Sequence, residues 1–245
     1  MEFYVLASGS KGNCTVVKSS QTMLIIDCGM SWAYLSQAFG EHNIDYNKAD
    51  ALLISHQHSD HVAQIEKFKG VKKYSCSPIK NCELSSFYQE FKVQDFSVMA
   101  LPLSHDSINT SGFVIKNKKE KLVYITDTGY LSEKNLFYLE NADYYIFESN
   151  HNVTMLLNTK RPIMLKRRIM HLDGHLSNED CAAYLSQLVG DKTKEIVLAH
   201  LSQEANHPAI ALKTLQEVFL ANEIDYTNIK ITTAQQSRTY KGGRL

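Results

Sequence analysis

Short runs of apolar residues recur along the whole chain, separated by polar or glycine-containing segments. Runs of about five residues that are rich in valine, isoleucine, tyrosine and phenylalanine are typical of β-strands. A lysine-rich segment, "KNKKEK", separates two of the later runs and predicts the turn of a β-hairpin. The predicted strands are "FYVLA", "TVVK", "MLIID", "ALLIS", "KKYSCS", "FSVMALPL", "SGFVIK", "KLVYIT", "DYYIFE", "EIVLAH" and "NIKIT".

Other segments place their apolar residues three or four positions apart, which predicts amphipathic helices. Ser31, Ser59, Ser132 and Asn178 stand where an N-cap residue would accept a hydrogen bond from the first helical turn. The predicted helices are "SWAYLSQAFGEH", "SDHVAQIEKFK", "PIKNCELSSFYQEF", "SEKNLFYLENA", "NVTMLLNTKRPIMLKRRIM", "NEDCAAYLSQLV" and "HPAIALKTLQEVFLANE".

Strands dominate the first half of the chain, whereas strands and helices alternate in the second half. No repeat, low-complexity segment or linker divides the 245 residues, so we predict a single domain over residues 1–245. Two packed sheets with helices outside would bury this many short strands and amphipathic helices. The predicted class is therefore mixed α/β (α+β).

The segment "LLISHQHSDHV", residues 52–62, crowds three histidines and an aspartate directly after a buried strand. His56 and His58 are two positions apart, so both imidazoles point to the same side of an extended segment. Asp60 and His61 follow at a predicted helix start, where the chain can aim a second pair at a nearby ion. Imidazole and carboxylate without thiolate suit a catalytic zinc, manganese or iron ion. The alternative, a polar surface loop, leaves crowded imidazoles without partners.

Three more residues of ligand type end apolar runs further along the chain. His105 ends "VMALPLSH", Asp127 ends "KLVYITD" and His200 ends "EIVLAH". Loops at strand ends often carry functional residues, although each of the three alone is as easily an ordinary strand-end residue. Together with the first cluster they make seven ligands, which is enough for two divalent metal ions that share a bridging carboxylate.

This ordered set resembles the metallo-β-lactamase fold hydrolases over most of the chain. The resemblance implies a four-layer αββα sandwich with the active site at one edge of its two sheets. It also implies two ligand sets and one bridging carboxylate. These are His56, His58 and His105 for one metal, Asp60, His61 and His200 for the other, and Asp127 between them.

A glycine-containing loop, "ASGSKGNCT", follows the first predicted strand at residues 7–15. Such a loop can bring backbone N–H groups, together with Ser10, Lys11 and Asn13, toward a phosphate. A simple hairpin turn is the alternative. The stretch "SGSKGN" resembles the opening signature of the YycJ/WalJ branch of this superfamily, which is associated with 5′-to-3′ exonuclease activity on DNA.

A glutamate and a histidine of the second half stand in segments that resemble the RNase Z type of tRNA-processing ribonuclease. Glu148 ends the strand of "IFESNHN", and His175 lies in "HLDGHLSNED" just before a predicted helix. By this resemblance His175 contacts the scissile phosphate and acts as general acid, while Glu148 orients the imidazole and raises its pKa. From the residues alone, a solvated strand end and a helix-entry residue remain alternatives.

The densest basic stretch, "TKRPIMLKRRIM", precedes His175. If it flanks the site, Arg167 and Arg168 would contact a phosphate backbone and make binding sensitive to salt; a solvated helix face is the alternative. The whole chain carries 26 basic and 26 acidic residues, so its formal net charge is zero. A long polyanion bound across the entire surface is therefore not expected, whereas a local basic groove is compatible with this composition.

The cysteines and the N-terminal segment indicate the cellular compartment. Five scattered cysteines without a CxxC pair predict reduced thiols rather than a disulfide framework or a thiolate zinc site. The N-terminal "MEFYVLASGS" lacks the features of a signal peptide, and no apolar run is long enough to span a bilayer. We expect a cytoplasmic protein without a membrane partner; the oligomeric state is open.

Taken together, the residues and the resemblance predict a dinuclear-metal phosphodiester hydrolase, a 5′-to-3′ DNA exonuclease of the YycJ/WalJ type. Asp60 would accept the proton of the attacking water, and His175 would protonate the leaving sugar oxygen. One alternative is a small-molecule phosphodiesterase or another ester or lactone hydrolase of the same fold. A second alternative is a non-catalytic signalling or scaffold protein that retains a metal site.

Overall fold

Two seven-stranded sheets form the centre of the molecule in a computed structural model that describes residues 1–244. The first sheet has the order β14-β1-β2-β3-β4-β5-β6, and the second has the order β13-β12-β11-β10-β9-β8-β7. The strands of the first sheet are β1 (Glu2–Ala7), β2 (Cys14–Lys18), β3 (Met23–Ile26), β4 (Ala51–Ile54), β5 (Lys73–Ser75), β6 (Glu83–Leu84) and β14 (Tyr240–Gly243). Those of the second are β7 (Glu90–Val93), β8 (Phe96–Pro102), β9 (Ser111–Lys116), β10 (Lys121–Ile125), β11 (Tyr144–Glu148), β12 (Glu195–Ala199) and β13 (Lys230–Thr233).

Each sheet combines an antiparallel part with a parallel part. In the first sheet β1, β2 and β3 are antiparallel, whereas β3, β4, β5 and β6 run parallel. In the second sheet β7 to β10 are antiparallel, whereas β10 to β13 run parallel. The carboxyl ends of neighbouring parallel strands meet at one edge of a sheet, so this arrangement brings the residues that follow those strands together.

Side-chain alternation along the strands divides the core into three layers. On β1, Phe3 and Val5 lie in the core between the sheets, while Tyr4 and Leu6 lie in the core under the helix on the outer face. The second sheet repeats the pattern: Ile146 of β11 faces the first sheet, and its neighbours face the opposite helices. Strands buried on both faces require near-continuous apolar runs, which is the pattern that the sequence shows.

Helices cover both outer faces and complete the predicted four-layer αββα sandwich. Leu35 and Phe39 of the first helix pack on the first sheet, whereas three later helices pack on the second sheet. Within residues 1–244, no helix is both long and apolar enough to cross a membrane. The helices are α1 (Trp32–Glu41), α2 (Ser59–Val62), α3 (Glu133–Leu139), α4 (Val153–Asn158), α5 (Ile163–Ile169), α6 (Asn178–Leu188) and α7 (Pro208–Ala221).

Several helix predictions were wrong in extent or in kind. The segment "PIKNCELSSFYQEF" forms β6 and the start of β7 instead of a helix; Tyr88 has a φ of 62° and Phe91 packs toward the core between the sheets. The helix predicted from Ser59 ends at Val62 and is followed by a short 3₁₀ turn. The long helix predicted before His175 is divided into α4 and α5, because a proline (Pro162) disfavours continuation through it.

Two of the predicted N-cap residues are confirmed by their hydrogen bonds, and two other helices begin one residue earlier than predicted. Ser31 accepts a hydrogen bond from the backbone N–H of Tyr34, and Ser132 accepts one from Asn135. The N-cap of α2 is His58 instead of Ser59, and the N-cap of α6 is Ser177 instead of Asn178. The hydroxyl of Ser177 accepts a hydrogen bond from the backbone N–H of Asp180, the third residue of the helix, as an N-cap side chain does.

The turn after β3 packs directly against the backbone of the turn after β4. The N–H of Cys28 donates to the carbonyl of His61 at 2.8 Å, and the N–H of Gly29 donates to the carbonyl of Asn13 at 2.9 Å. A Cβ atom at Gly29 would overlap the backbone carbonyl of Asp60. The absence of a side chain at Gly29 therefore permits this close approach.

We predict that Gly29→Ala lowers the free energy of unfolding by about 1–3 kcal/mol, because the methyl group forces two backbone segments apart. Gly40→Ala is the matched control: it lies in α1 with no atom within 4 Å of the added Cβ. This control should raise stability by up to about 1 kcal/mol, since alanine favours a helix over glycine. Urea denaturation of both variants tests the prediction, and equal effects of the two would contradict it.

Candidate metal centre

The candidate site lies where parallel strands of both sheets end. Ser55 and His56 follow β4, Asp127 follows β10 and His200 follows β12, while Glu148 is the last residue of β11. Asp127 and His200 have positive φ angles of 60° and 56°, so the chain turns sharply as soon as each strand ends. These turns place polar side chains at the edge of an otherwise apolar core.

The structure brings the first predicted ligand set together. Ligand atoms of His56, His58 and His105 lie within 4.8 Å of one another. Nδ1 of His105 lies 3.1 Å from the carbonyl oxygen of Gly174, to which it donates when it carries the proton. That hydrogen bond leaves Nε2 of His105 facing the other two imidazoles as a lone-pair donor.

The second predicted set, Asp60, His61 and His200, meets the same distance limit. Nδ1 of His61 lies 2.8 Å from Oδ2 of Asp27, and Nδ1 of His200 lies 2.8 Å from Oε1 of Glu148. A carboxylate on Nδ1 orients an imidazole and leaves Nε2 as the ligand atom. Asp60 lies beside this set, with Oδ2 at 3.5 Å from Nε2 of His61.

Asp127 lies between the two sets. Its Oδ2 is 3.1 Å from Nε2 of His61 in the second set, and its Oδ1 is 3.8 Å from Nε2 of His105 in the first set. The side chain is almost fully buried. Oδ1 also lies 3.6 Å from Nδ1 of His200, so this single carboxylate is within reach of residues of both ligand sets.

The donor atoms that lack partners fit a cation. Nε2 of His56, Nε2 of His200 and Oδ2 of Asp127 are buried and have no hydrogen-bond partner of good geometry. Buried polar atoms without a partner are destabilising, and a cation coordinated by them removes that penalty. Oxygen and nitrogen ligands without thiolate suit a divalent metal in a reactive site. The fold and this cluster therefore imply divalent metal binding.

The buried carboxylates are held in their ionised form. Burial would raise the pKa of Asp127, but His200 and His61 outweigh burial and lower it. Burial likewise opposes ionisation of Glu148, whose pKa His175 and His200 lower. Burial would lower the pKa of His200, yet Asp127 and Glu148 raise it to about 9. The site thus favours positive charge, which protons or a metal ion can supply in competition.

Glu148 links two histidines beside these ligand sets. Its Oε1 lies 2.9 Å from Nδ1 of His175 and 2.8 Å from Nδ1 of His200. Its Oε2 accepts hydrogen bonds from the backbone N–H groups of Thr128 and Leu176. Four donors thus fix this fully buried carboxylate, and the half-buried imidazole of His175 is oriented by it.

Distances alone also allow a further ligand grouping, made of Asp127, Glu148, His175 and His200. The hydrogen bonds argue against it, because both oxygens of Glu148 already accept from the protein. Nδ1 of His175 lies 3.7 Å from Oδ1 of Asp127, which places this imidazole beside the ligand sets.

Two residues of the site were missed in the sequence. Asp27 follows β3 with a φ of 59° and is fully buried; it accepts from Ser55 and lies against Nδ1 of His61. Asp106 follows His105, and its Oδ1 lies 3.4 Å from Nε2 of His105 and 3.8 Å from Nε2 of His58. Asp27 ends the apolar run "MLIID", the same signal that singled out Asp127, so it could have been found.

The residues predicted to contact a phosphate differ in exposure and in their hydrogen-bond partners. Ser10 and Lys11 are exposed on the loop after β1. Asn13 is buried, and its side chain holds that loop by accepting from Gly9 N–H and approaching Nε2 of His61 at 3.0 Å. This buried position does not fit a contact with substrate, because the amide is already engaged. Arg167 is exposed, and Arg168 pairs with Asp106.

Comparisons with known proteins agree with the fold. The family model described as "Beta-lactamase superfamily domain" matches residues 78–201, and the one described as "Anti-Pycsar protein Apyc1" matches residues 7–84. Among solved structures, the metallo-β-lactamase fold protein YhfI from Bacillus subtilis is similar with a TM-score of 0.70. It is 18% identical, and the match covers 98% of this chain and 99% of that chain, so it confirms the predicted fold.

Curated relatives are similar over most of the chain. Exodeoxyribonuclease YycJ of Bacillus anthracis is 32% identical over 238 residues, which covers 89% of this chain and 89% of that protein. Exodeoxyribonuclease WalJ of Streptococcus pneumoniae serotype 2 is 29% identical over 253 residues, covering 94% of this chain and 90% of that protein. The chain therefore belongs to the metallo-β-lactamase superfamily and, within it, to the family of YycJ and WalJ.

Proposed function

We propose that the protein hydrolyses phosphodiester bonds with two divalent metal ions, that its substrate is DNA, and that it degrades a strand from the 5′ end. The observation that carries the proposal is the His175–Glu148 pair beside Asp127 and both ligand sets. An oriented imidazole next to a metal centre suits protonation of a leaving oxygen. The names of the curated relatives support DNA as the substrate.

The residues divide into ligands and proton-transfer groups. Two divalent ions would supply positive charge that lowers the pKa of water and stabilises the charge of a phosphoryl transition state. Zn²⁺ and Mn²⁺ both suit these donors, and Fe²⁺ is a third candidate. The proposed ligands are His56, His58 and His105 in one set, Asp60, His61 and His200 in the other, and Asp127 between the sets.

Three side chains would move or hold protons. Asp60 is partly exposed, with its carboxylate beside the second set, and accepts a proton from the attacking water. His175 donates a proton to the leaving sugar oxygen from the ring nitrogen that Glu148 does not hold. Glu148 fixes the orientation and tautomer of that imidazole through its buried carboxylate.

We also propose that residues 1–245 act as one domain and that the protein works in the cytoplasm. Side chains from both sheets contribute to the same cluster, which supports a single unit. Free cysteines support a reducing compartment, because Cys14, Cys28, Cys76, Cys82 and Cys181 all remain thiols.

We predict that the protein loaded with Mn²⁺, or separately with Zn²⁺, releases labelled mononucleotides from 5′-labelled DNA. Double-stranded DNA, single-stranded DNA and RNA are compared in parallel. His58→Ala removes one of three imidazoles in the first set and should abolish release. Hydrolysis of bis(p-nitrophenyl) phosphate without cleavage of any polymer would point to a small-molecule phosphodiesterase. Bound metal without turnover of either would point to a non-catalytic protein.

We predict that His175→Ala lowers kcat about 10²–10⁴-fold while metal content stays near that of the wild type, because His175 transfers a proton and binds no metal. His56→Ala should lose metal together with activity. His171→Ala is the matched control, since the side chain of this exposed histidine pairs with Asp173 and with none of the proposed ligands in the described residues. Metal analysis by mass spectrometry and steady-state kinetics give both readouts. Equal metal loss in His175→Ala and His56→Ala would refute the division of roles.

A further inference from the structure

Asp106 connects the first ligand set to a basic helix at the rim of the centre. Its Oδ1 lies near Nε2 of both His105 and His58, at 3.4 Å and 3.8 Å. Its Oδ2 accepts a hydrogen bond of 2.6 Å from Nε of Arg168 in α5. One carboxylate thus touches both the ligand histidines and an arginine.

Arg168 differs from Lys166 and Arg161 of the same basic stretch in what its side chain contacts. Lys166 is buried and donates to the carbonyls of Leu157 and Thr159, and Arg161 pairs with Glu204 at 2.9 Å. Arg168 is 56% exposed, and Asp106 is its one ion-pair partner within residues 1–244. An ion pair with an arginine this exposed adds little to stability. Stability therefore does not explain why Arg168 lies beside the ligand histidines, and a functional role does.

The guanidinium group of Arg168 keeps some of its N–H donors free while others bind the carboxylate of Asp106. It offers five N–H groups in a fixed plane, and pairing with Asp106 engages the Nε side of that plane. The remaining donors match the oxygens of a phosphate, which guanidinium groups bind through two parallel hydrogen bonds. Asp106 lies between Arg168 and the ligand histidines, so a phosphate held by the free donors would lie next to the ligand sets and not within them.

We propose that Arg168, held in place by Asp106, binds a phosphate adjacent to the scissile phosphate and so makes the centre select a nucleic-acid strand over a small phosphodiester. The inference rests on the proposed phosphodiester hydrolysis. Arg168 is the binding residue, and Asp106 is a positioning residue. Two phosphates can be the adjacent one: the 5′-terminal phosphate or the phosphate of the second linkage. Both share the same chemistry.

Kinetics on two substrates test the selectivity. Arg168→Gln should raise KM for a single-stranded oligonucleotide about tenfold and reduce the salt dependence of its binding by about one phosphate contact. Hydrolysis of bis(p-nitrophenyl) phosphate, which has no second phosphate, should change less than about twofold. Asp106→Asn should raise KM for the oligonucleotide without changing the salt dependence, because Arg168 keeps its charge. Arg161→Gln, which breaks a similar ion pair, is the matched control and should change neither.

A binding measurement tests the contact without relying on turnover. Fluorescence anisotropy is recorded with the Mn²⁺-loaded protein in a His175→Ala background, so that cleavage does not consume the labelled oligonucleotide. One probe lacks the 5′-terminal phosphate, and another carries a neutral methylphosphonate at the second linkage. One of the two changes should weaken binding about tenfold, and it should have no further effect when Arg168→Gln is also present. The probe that behaves in this way identifies the adjacent phosphate.

If Arg168→Gln slows the small diester as much as the oligonucleotide, Arg168 acts on the scissile phosphate and the inference is wrong. Additive effects of Arg168→Gln with both altered probes would also overturn it. If the wild type cleaves no polynucleotide, the proposed function fails, and the anisotropy cycle still decides whether Arg168 binds a phosphate.

Discussion

The charge of two buried carboxylates is the constraint on which the site depends. Asp127 and Glu148 lie at the ends of neighbouring parallel strands, and neither can remain ionised in an apolar interior without positive partners. The partners are imidazoles from both sheets, with His61 beside Asp127 and His200 beside Glu148. These contacts join the edges of the two sheets, so the fold and the metal centre stabilise each other.

The site also requires sharp backbone turns at the ends of the strands that carry its residues. Asp27 and His200 have a left-handed backbone conformation directly after a strand, and Asp127 has one two residues after the end of β10. For residues other than glycine this conformation is unfavourable, and it persists where surrounding contacts over-determine it. Asp27 accepts hydrogen bonds from Ser55, and the N–H of His200 donates to the hydroxyl of Ser8. Packing of the strands and these hydrogen bonds thus stabilise turns that the local sequence disfavours.

Much of the fold and of the ligand set could be predicted because the signals are local. Apolar runs identify the strands, and ligand-type residues at their ends, such as His105 and His200, stand out against them. Asp27 carries the same signal, but only the pairing of β3 with β4 shows that it reaches His61. Asp106 was missed because its partner Arg168 is 62 residues away in the chain. Contacts between residues so far apart in the chain depend on how loops and helices pack. The spacing of residues along the sequence does not reveal that packing.

Two of the wrong helix predictions have different physical causes. Residues 78–91 show helical spacing of apolar residues, yet Glu83 and Leu84 extend the first sheet beside β5. Sheet pairing supplies hydrogen bonds that outweigh a weak helical preference. The long basic segment before His175 was divided because a proline at position 162 fits the start of a helix and disfavours its interior. Tertiary pairing decided the first case and backbone chemistry the second.

Net neutrality of the chain limits how the protein can attract a nucleic acid. With 26 basic and 26 acidic residues, no long-range field draws a polyanion to the whole surface. Positive charge must therefore be local, and the candidate groups are the buried histidine cluster, Arg168 beside Asp106 and the exposed Lys11. A centre charged in this way contacts few phosphates at a time, so its affinity depends only weakly on the length of the strand. Such a contact suits an enzyme that works at the end of a strand, since a strand end presents few phosphates.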